Sequence, residues 1–154
     1  MEHQFETTSE IQLPIEQVFA FFSAAENLQR ITPPELHFQV MTPSPITLEI
    51  GALIDYRLRL FGVPFTWRTL ISEWRPPCAF TDEQLRGPYA QWIHRHTFES
   101  VASGTRMRDQ VRYRLPLSPL GDVAYPFVAR QVARIFTYRE EAIRTALLAS
   151  DTRI

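Results

Sequence analysis

Residues Phe80–Phe98 read FTDEQLRGPYAQWIHRHTF, and this stretch decides the predicted fold. Successive side chains of an extended strand point to opposite faces, so every second residue shares a face. In the second half of this stretch, one face carries aromatic side chains and imidazoles. The other face carries mainly polar side chains, which suit contact with water. The first set is Trp92, His94, His96 and Phe98, and the second is Ile93, Arg95, Thr97 and Glu99. The pattern predicts that both histidines point into the protein interior.

The strands predicted on either side repeat this division. Before the turn at Gly87–Tyr89, the matching inward residues are Phe80, Asp82 and Gln84. After the loop around Ser103 and Gly104, the inward residues are Met107, Asp109, Val111 and Tyr113, and the outward ones are Arg106, Arg108, Gln110, Arg112 and Arg114. The arginine stripe is therefore interpreted as a solvated outer face, and two carboxylates are predicted to face inward with the histidines.

Earlier segments add four strands and two short helices. The predicted strands are His3–Leu13, Leu36–Thr42, Leu53–Phe61 and Phe65–Trp74, and the predicted helices are Ile15–Phe22 and Glu26–Ile31. After Pro119–Gly121, apolar residues recur at helical spacing to the end of the chain. They are Val128, Val132, Ile135, Phe136, Ile143 and Leu147. The order predicts an α+β fold in which a curved, seven-stranded antiparallel sheet packs around one long C-terminal helix, with two short helices after the first strand.

Composition restricts the class of protein. A length of 154 residues predicts a single domain, 1–154. The net charge of −1 gives no general attraction to nucleic acid, so no nucleic-acid partner is expected. A lone cysteine, Cys78, excludes an internal disulfide framework, and no apolar run reaches the length of a membrane span. The expectation is a cytoplasmic protein without integral membrane association, either a monomer or a homodimer.

Strand register brings the inward polar groups together. A three-residue loop at Gly87–Tyr89 places Asp82 opposite His94 and Phe80 opposite His96. For the next hairpin, a four-residue loop from Val101 to Gly104 places His96 opposite Asp109, whereas a two-residue loop of Ser103 and Gly104 places His94 opposite Tyr113. Either register predicts a connected set of four groups, with Gln84 and Tyr113 at its margins. These four candidate catalytic residues are Asp82, His94, His96 and Asp109.

Several interpretations of this set remain open. A buried carboxylate needs a donor, so the set could simply fix strand register, or one histidine could present a polar tip to a ligand. An enzyme would use the same groups as general acid and base, with Tyr113 as a further proton donor. The side chains of His94 and His96 with an aspartate also suit zinc or iron, but sequence spacing fixes no third ligand. Neither a metal nor a cofactor is therefore expected.

Motifs across nearly the whole sequence resemble the START-like helix-grip superfamily, also called SRPBCC, and within it small bacterial polyketide cyclase/dehydrase-like proteins. The matching segments are Leu13–Phe19, Asn27–Leu28, Ile31–Pro33, Gly51–Tyr56, Trp67–Thr69, Trp74–Pro77, Phe80–Gln84, Gly87–Tyr89, His94–Phe98, Thr105–Tyr113 and Tyr138–Arg139. The resemblance implies a helix-grip fold whose cavity accepts an apolar or aromatic molecule. It transfers no universal catalytic residue.

The resulting functional prediction is binding of a small hydrophobic or aromatic ligand, of the lipid, polyketide or quinone kind, between the sheet and the C-terminal helix. A non-catalytic binding protein is favoured. The alternative is a cyclase or dehydratase that acts on a polyketide-like substrate by general acid and base catalysis. The predicted ligand-binding residues are Tyr56, Trp67, Thr69, Asp82, Gln84, Trp92, His94, His96, Asp109, Tyr113 and Phe136.

Overall fold

The computed structural model describes residues 1–151, with side chains as far as Leu147. Seven antiparallel strands form one curved sheet, as predicted, and their order in the sheet is β1-β7-β6-β5-β4-β3-β2. Their bounds are β1 Glu2–Ile11, β2 Gln39–Val40, β3 Leu53–Leu60, β4 Val63–Arg75, β5 Ala79–Arg86, β6 Gln91–Val101 and β7 Gly104–Arg114. Neighbouring strands from β3 to β7 follow one another along the chain, because short hairpins join them.

Two α-helices cover the inner face of the sheet. Helix α1 spans Ile15–Phe22 and helix α2 spans Tyr125–Asp151, with Pro126 in its first turn, where a missing N–H costs little. Three short 3-10 helices occupy Ala25–Ile31, Pro34–Leu36 and Leu120–Ala124. The predicted apolar stripe of α2 faces the sheet, since Val132, Phe136, Ile143 and Leu147 are all buried. The sheet and the long helix therefore form the predicted helix-grip arrangement.

One predicted strand is much shorter than expected. The sequence predicts extended chain from Leu36 to Thr42, but only Gln39–Val40 pairs with β3. Proline fixes φ near the helical value, and the second of two prolines begins a 3-10 turn over Pro34–Leu36. His37 then adopts a left-handed conformation with φ of 46°, so extended backbone starts only after it.

The central hairpins have the register that places the polar residues side by side. Phe80 lies opposite His96 and Asp82 opposite His94, which confirms the register predicted for the first hairpin. In the second hairpin His96 lies opposite Asp109, one of the two predicted alternatives. The turn is tighter than that alternative assumed, because Val101 still pairs with Gly104.

The outer face of β7 is basic, and β1 supplies acidic partners to it. Arg106 contacts Glu10 at 3.1 Å, Arg108 hydrogen-bonds Glu6, and Arg114 lies 3.7 Å from Glu2. These cross-strand pairs leave the arginine stripe largely balanced in charge. Among the helices in the described part of the chain, none is long and apolar enough to span a bilayer.

The carboxylate of Glu73, on the outer face of β4, accepts three side-chain hydrogen bonds, and its lowered pKa allows a pH-dependent prediction. Its oxygens accept hydrogen bonds from Arg95 at 2.9 and 3.2 Å and from Thr81 at 2.7 Å. These donors lower the pKa of Glu73 to about 2. A carboxyl with a lowered native pKa stabilises the fold above its unfolded pKa and loses that contribution as pH falls through the native value.

We expect Glu73→Gln to lower the free energy of unfolding by about 1 kcal/mol at pH 7, because charge-assisted hydrogen bonds become neutral ones. The difference from wild type should vanish as the pH falls from about 5 to about 2. Urea unfolding across this range measures it. Glu99→Gln is the control, because the Glu99 side chain is 70% exposed and its ion pair with Arg106 should contribute little. A Glu73 effect that does not change with pH would contradict the assignment.

Candidate functional site

Four inward polar residues meet beneath helix α2, and we call them the polar quartet: Asp82 on β5, His94 and His96 on β6, and Asp109 on β7. These strands are neighbours in the sheet, and their inward-facing parities agree. The two histidines are each only 4% exposed, Asp109 is buried, and Asp82 is partly buried. The structure thus brings together all four candidate catalytic residues predicted from the sequence.

Each histidine reaches the aspartate diagonal to it rather than the one directly opposite. His94 Nε2 lies 2.7 Å from Asp109 Oδ1, and His96 Nε2 lies 2.7 Å from Asp82 Oδ2. The second nitrogens complete a ring of contacts, since His96 Nδ1 is 3.1 Å from Asp109 Oδ1 and His94 Nδ1 is 3.8 Å from Asp82 Oδ2. The imidazole centroids are 3.7 Å apart. Each carboxylate therefore contacts both imidazoles.

Burial and the neighbouring charges give the two histidines different pKa shifts. Burial, reinforced by the charge of His96, lowers the pKa of His94, whereas contacts with Asp109 and Asp82 raise the pKa of His96 despite its burial. Burial alone would raise the pKa of both aspartates, but the histidines hold the pKa of Asp109 and Asp82 below the ordinary value. These directions favour two carboxylates, an imidazolium at His96 and a neutral His94 that donates from Nε2.

Arg139 of α2 completes the charge balance of the polar quartet. Its guanidinium lies 5.1 Å from the Phe136 ring, and its buried Nε has no hydrogen-bond partner among the described residues. Burial lowers the pKa of Arg139, while Asp109 and Asp82 act in the opposite direction. With Arg139 and the His96 imidazolium, the two carboxylate charges are compensated. An arginine with a buried unpartnered N–H beside a cavity is suited to an oxygen atom of a ligand.

Sequence analysis did not assign Arg139 to the site. The helical spacing nevertheless carries the signal, since Arg139 follows Phe136 by three residues and precedes Ile143 by four. These intervals place it on the buried stripe of α2. An arginine on an otherwise apolar stripe was the available clue.

Two adjoining cavities lie between the sheet and α2. The first, of about 140 Å³, is lined mainly by apolar and aromatic side chains together with Asp82, His94 and His96. The second, of about 360 Å³, lies between α2 and the strands β1 and β7, and Asp109 faces it. Three side chains line both cavities: Phe22, Phe136 and Arg139. The polar quartet therefore lies at the boundary of the two spaces.

Most of the predicted ligand-binding residues line these cavities. The first cavity is lined by Tyr56, Trp67, Thr69, Asp82, Trp92, His94, His96 and Phe136, and the second is lined by Asp109 and Phe136. The aromatic end of the first cavity also includes Tyr89, which the sequence analysis did not select and whose ring lies 4.8 Å from that of Trp92.

Gln84 and Tyr113 line neither cavity. The Gln84 amide is used by the adjacent turn, where it donates to the Tyr89 carbonyl at 2.7 Å and accepts from the Tyr89 N–H at 3.2 Å. The Tyr113 ring is buried against those of His3 and Trp92, at 5.5 and 5.8 Å, and burial raises its pKa to about 12. The structure thus gives Gln84 hydrogen-bond partners in the turn and Tyr113 aromatic packing partners, and neither residue lies at a cavity wall.

The polar quartet predicts a large loss of stability when one carboxylate is removed. Asp109→Ala leaves the His96 imidazolium and the His94 N–H without their shared acceptor. We expect the free energy of unfolding to fall by about 3 kcal/mol, as for other broken buried ion pairs. Urea unfolding at neutral pH measures the change. Asp109→Asn, which keeps one carbonyl acceptor, should lose less, and an Asp109→Ala protein as stable as wild type would contradict the described network.

Comparison with known proteins gives a family match and a shared fold. A model of the polyketide cyclase / dehydrase and lipid transport family matches residues 11–138. None of the curated proteins compared matches the sequence.

Among solved structures, the ZhuI aromatase/cyclase from Streptomyces sp. R1128 has a TM-score of 0.73 at 13% identity, with 93% of this chain and 92% of that chain covered. TTHA0849 from Thermus thermophilus has a TM-score of 0.67 at 19% identity, covering 95% and 99% of the two chains. Ara h 8.0201 has a TM-score of 0.65 at 14% identity, covering 94% and 99%. At these identities the structural likenesses concern the fold.

Proposed function

Because the chain belongs to the polyketide cyclase / dehydrase and lipid transport family, we propose that it binds a small, largely apolar or aromatic molecule bearing an oxygen substituent. The site of binding is the paired space between the sheet and α2. The observation that carries this proposal is the contrast within the first cavity, whose walls are mainly apolar and aromatic while one side holds Asp82, His94 and His96 of the polar quartet together with Arg139.

The apolar walls supply the driving force for binding. Burial of each methylene contributes about 0.8 kcal/mol, so a ten-carbon ligand gains about 8 kcal/mol before the costs of association. The rings of Trp67 and Trp92 lie 5.5 Å apart with planes at 86°, an edge-to-face arrangement that offers one ring face for stacking on a flat ligand. A gain of about 8 kcal/mol corresponds to a Kd of about 1 μM, so micromolar affinity is the upper limit for such a ligand once the costs of association are included.

Size selects the class of ligand. Pockets for small molecules usually measure about 300 to 1,000 Å³, so the first cavity is small for a drug-sized molecule. The second cavity reaches that range. Rotation of the Phe136 or Arg139 side chain would join the two spaces, because both side chains line each of them. The joined space suits a fused-ring or medium-chain ligand.

Polar groups at the boundary would orient the ligand. Arg139 presents a guanidinium without a described hydrogen-bond partner at Nε, and Tyr56, Thr69 and His94 line the first cavity. A ligand carbonyl or carboxylate can accept from the guanidinium, while its apolar body lies against Trp67 and Trp92. This arrangement selects oxygenated apolar molecules over pure hydrocarbons, since a hydrocarbon would leave the arginine unsatisfied.

Filling the first cavity tests the binding proposal. Ala25 is buried and lines the first cavity, so Ala25→Leu should occupy part of that space and weaken binding at least about tenfold. The matched control is Ala133→Leu, at an exposed position on α2, which should bind like wild type. Fluorescence titration with a naphthalene-sulfonate dye gives the affinities, and thermal unfolding confirms that both variants fold. Equal affinities for the two folded variants would contradict the proposed site.

Native mass spectrometry of freshly purified protein identifies the natural occupant. A bound mass that reappears in an organic extract as an apolar, oxygen-bearing compound would support the proposal. A bound compound that is strongly polar throughout would oppose it.

A second candidate function is dehydration or cyclisation of a polyketide-like substrate. The observation that favours it is the His94–Asp109 hydrogen bond of 2.7 Å, which fixes the orientation of an imidazole that lines the first cavity. A dehydratase removes a proton next to a carbonyl and returns a proton to the departing hydroxyl, so it needs a base and an acid on one wall. His94 and the Asp82–His96 pair lie close enough together to supply both. Tyr113, which the sequence suggested as a further proton donor, lines neither cavity. The tyrosines that line the first cavity are instead Tyr56 and Tyr89.

Substitution separates catalysis from binding. With a β-hydroxy ketone as the probe, dehydration yields a conjugated enone that absorbs in the ultraviolet. If the protein is an enzyme, His94→Gln and Asp82→Asn should abolish turnover while dye affinity stays within about twofold of wild type. His37→Gln, at an exposed position, is the control. Turnover that persists in both site variants would exclude these groups from the chemistry.

A further inference from the structure

We propose that Asp82, His94 and His96 form a binding site for a divalent transition-metal ion, with Asp109 as the outer carboxylate that orients both histidines. The inference is independent of the proposed ligand-binding function, because it concerns the affinity of the protein for a metal ion alone. Sequence spacing supplied the His94-x-His96 pair but no third ligand. The fold supplies one.

The three prospective ligand atoms converge on one small region. Asp82, His94 and His96 each offer one ligand atom, and these three atoms all lie within 4.8 Å of one another. Asp82 Oδ2 is 2.7 Å from His96 Nε2 and 3.8 Å from His94 Nδ1. An ion about 2.0 to 2.2 Å from each ligand atom places those atoms about 3.0 to 3.5 Å apart. Side-chain rotations that lengthen the Asp82–His96 separation and shorten the Asp82–His94 separation would therefore seat the ion.

The contacts of Asp109 are the independent observation that points to a metal. Its Oδ1 lies 2.7 Å from His94 Nε2 and 3.1 Å from His96 Nδ1, which are the ring nitrogens turned away from the prospective ion. Metal-bound histidines characteristically donate their other N–H to a carboxylate, which fixes the tautomer and orients the ring. One buried oxygen serves both histidines in this way. His96 Nδ1 makes no aligned hydrogen bond here, so a small rotation of the ring would improve its contact with Asp109.

A divalent cation together with one anion would keep the charge of the site balanced. The ion, bound by two neutral histidines, would compensate the two carboxylates of the quartet in place of the His96 imidazolium and Arg139. Arg139 then contributes one excess positive charge beside the site. The remaining coordination positions open toward the first cavity, because all three ligand residues line it. An anionic oxygen, either hydroxide or an oxygen of the bound organic molecule, fits the fourth position.

The donor set narrows the choice of metal. Two imidazoles and one carboxylate suit Zn²⁺ and Fe²⁺, whereas calcium and magnesium prefer all-oxygen sites. Zn²⁺ is the appropriate probe for affinity. Co²⁺ is the appropriate spectroscopic substitute, because its visible absorption reports coordination number and ligand type.

Calorimetric titration of the chelator-treated protein with Zn²⁺ tests the proposal. Wild type should bind one equivalent, and His94→Gln and Asp82→Asn should lose that binding. Asp109→Asn should keep the stoichiometry while affinity falls about 10- to 100-fold, the effect expected of an outer-shell group. His37→Gln, an exposed histidine outside the quartet, should bind as wild type does. A purely structural role for Asp109 would change stability without this graded change in affinity.

Measurements on wild type keep the test decisive if a variant fails to fold. The Co²⁺ complex should show the visible bands of a four- or five-coordinate ion, and X-ray absorption of the Zn²⁺ complex should resolve two imidazole ligands. Absence of stoichiometric Zn²⁺ binding by wild type would overturn the proposal, as would undiminished binding by a folded Asp82→Asn protein. Because no organic ligand takes part, failure here leaves the dye-binding result of Ala25→Leu to decide the proposed function separately.

Discussion

Two carboxylates on the inner face of the sheet, those of Asp82 and Asp109, impose the main constraint on this protein. An ionised carboxylate in an apolar interior costs several kcal/mol unless donors surround it. The strand between them meets this requirement with two histidines on its inward face. Their hydrogen bonds run diagonally across three neighbouring strands, so the register of both hairpins and the ionisation of the quartet depend on each other.

The polar quartet also borders the space that remains above the sheet. Asp82, His94 and His96 line the first cavity, and Asp109 lines the second. The helix then contributes Phe136 and Arg139 from the opposite side. The inward placement of charge on β5, β6 and β7 thus puts the polar chemistry at the walls of both cavities. The family match agrees with this architecture without specifying which molecule occupies the space.

Much of this arrangement could be predicted from period-two alternation and helical spacing. Alternation correctly assigned the inward faces of the central strands, because each polar residue shares its face with large apolar neighbours. The failures have local causes. The strand predicted from Leu36 is shortened by a 3-10 turn and by His37 in a left-handed conformation. Period-two alternation of side chains carries no information about such a conformation. Gln84 shares parity with the polar quartet, yet its amide is taken by the turn beside it.

Two further properties of the site depend on three-dimensional distances that sequence does not carry. Which histidine nitrogen meets which carboxylate follows from ring rotation, and the volume of a cavity follows from how closely α2 approaches the sheet. Arg139 is different, because its position on the apolar stripe was readable from the spacing. An arginine stem can pack among apolar groups while its head reaches a polar region, so a charged residue on such a stripe need not break the helix interface.

If both cavities bind molecules, the wall between them would couple the two binding equilibria. Phe22, Phe136 and Arg139 face both spaces, so a molecule that displaces these side chains on one side changes the free energy of occupancy on the other. Such coupling is reciprocal: whatever factor the first occupant applies to the affinity of the second, the second applies to the first. Two small molecules bound in these cavities would therefore change each other's affinity through the side chains of Phe22, Phe136 and Arg139, without any rearrangement of the sheet.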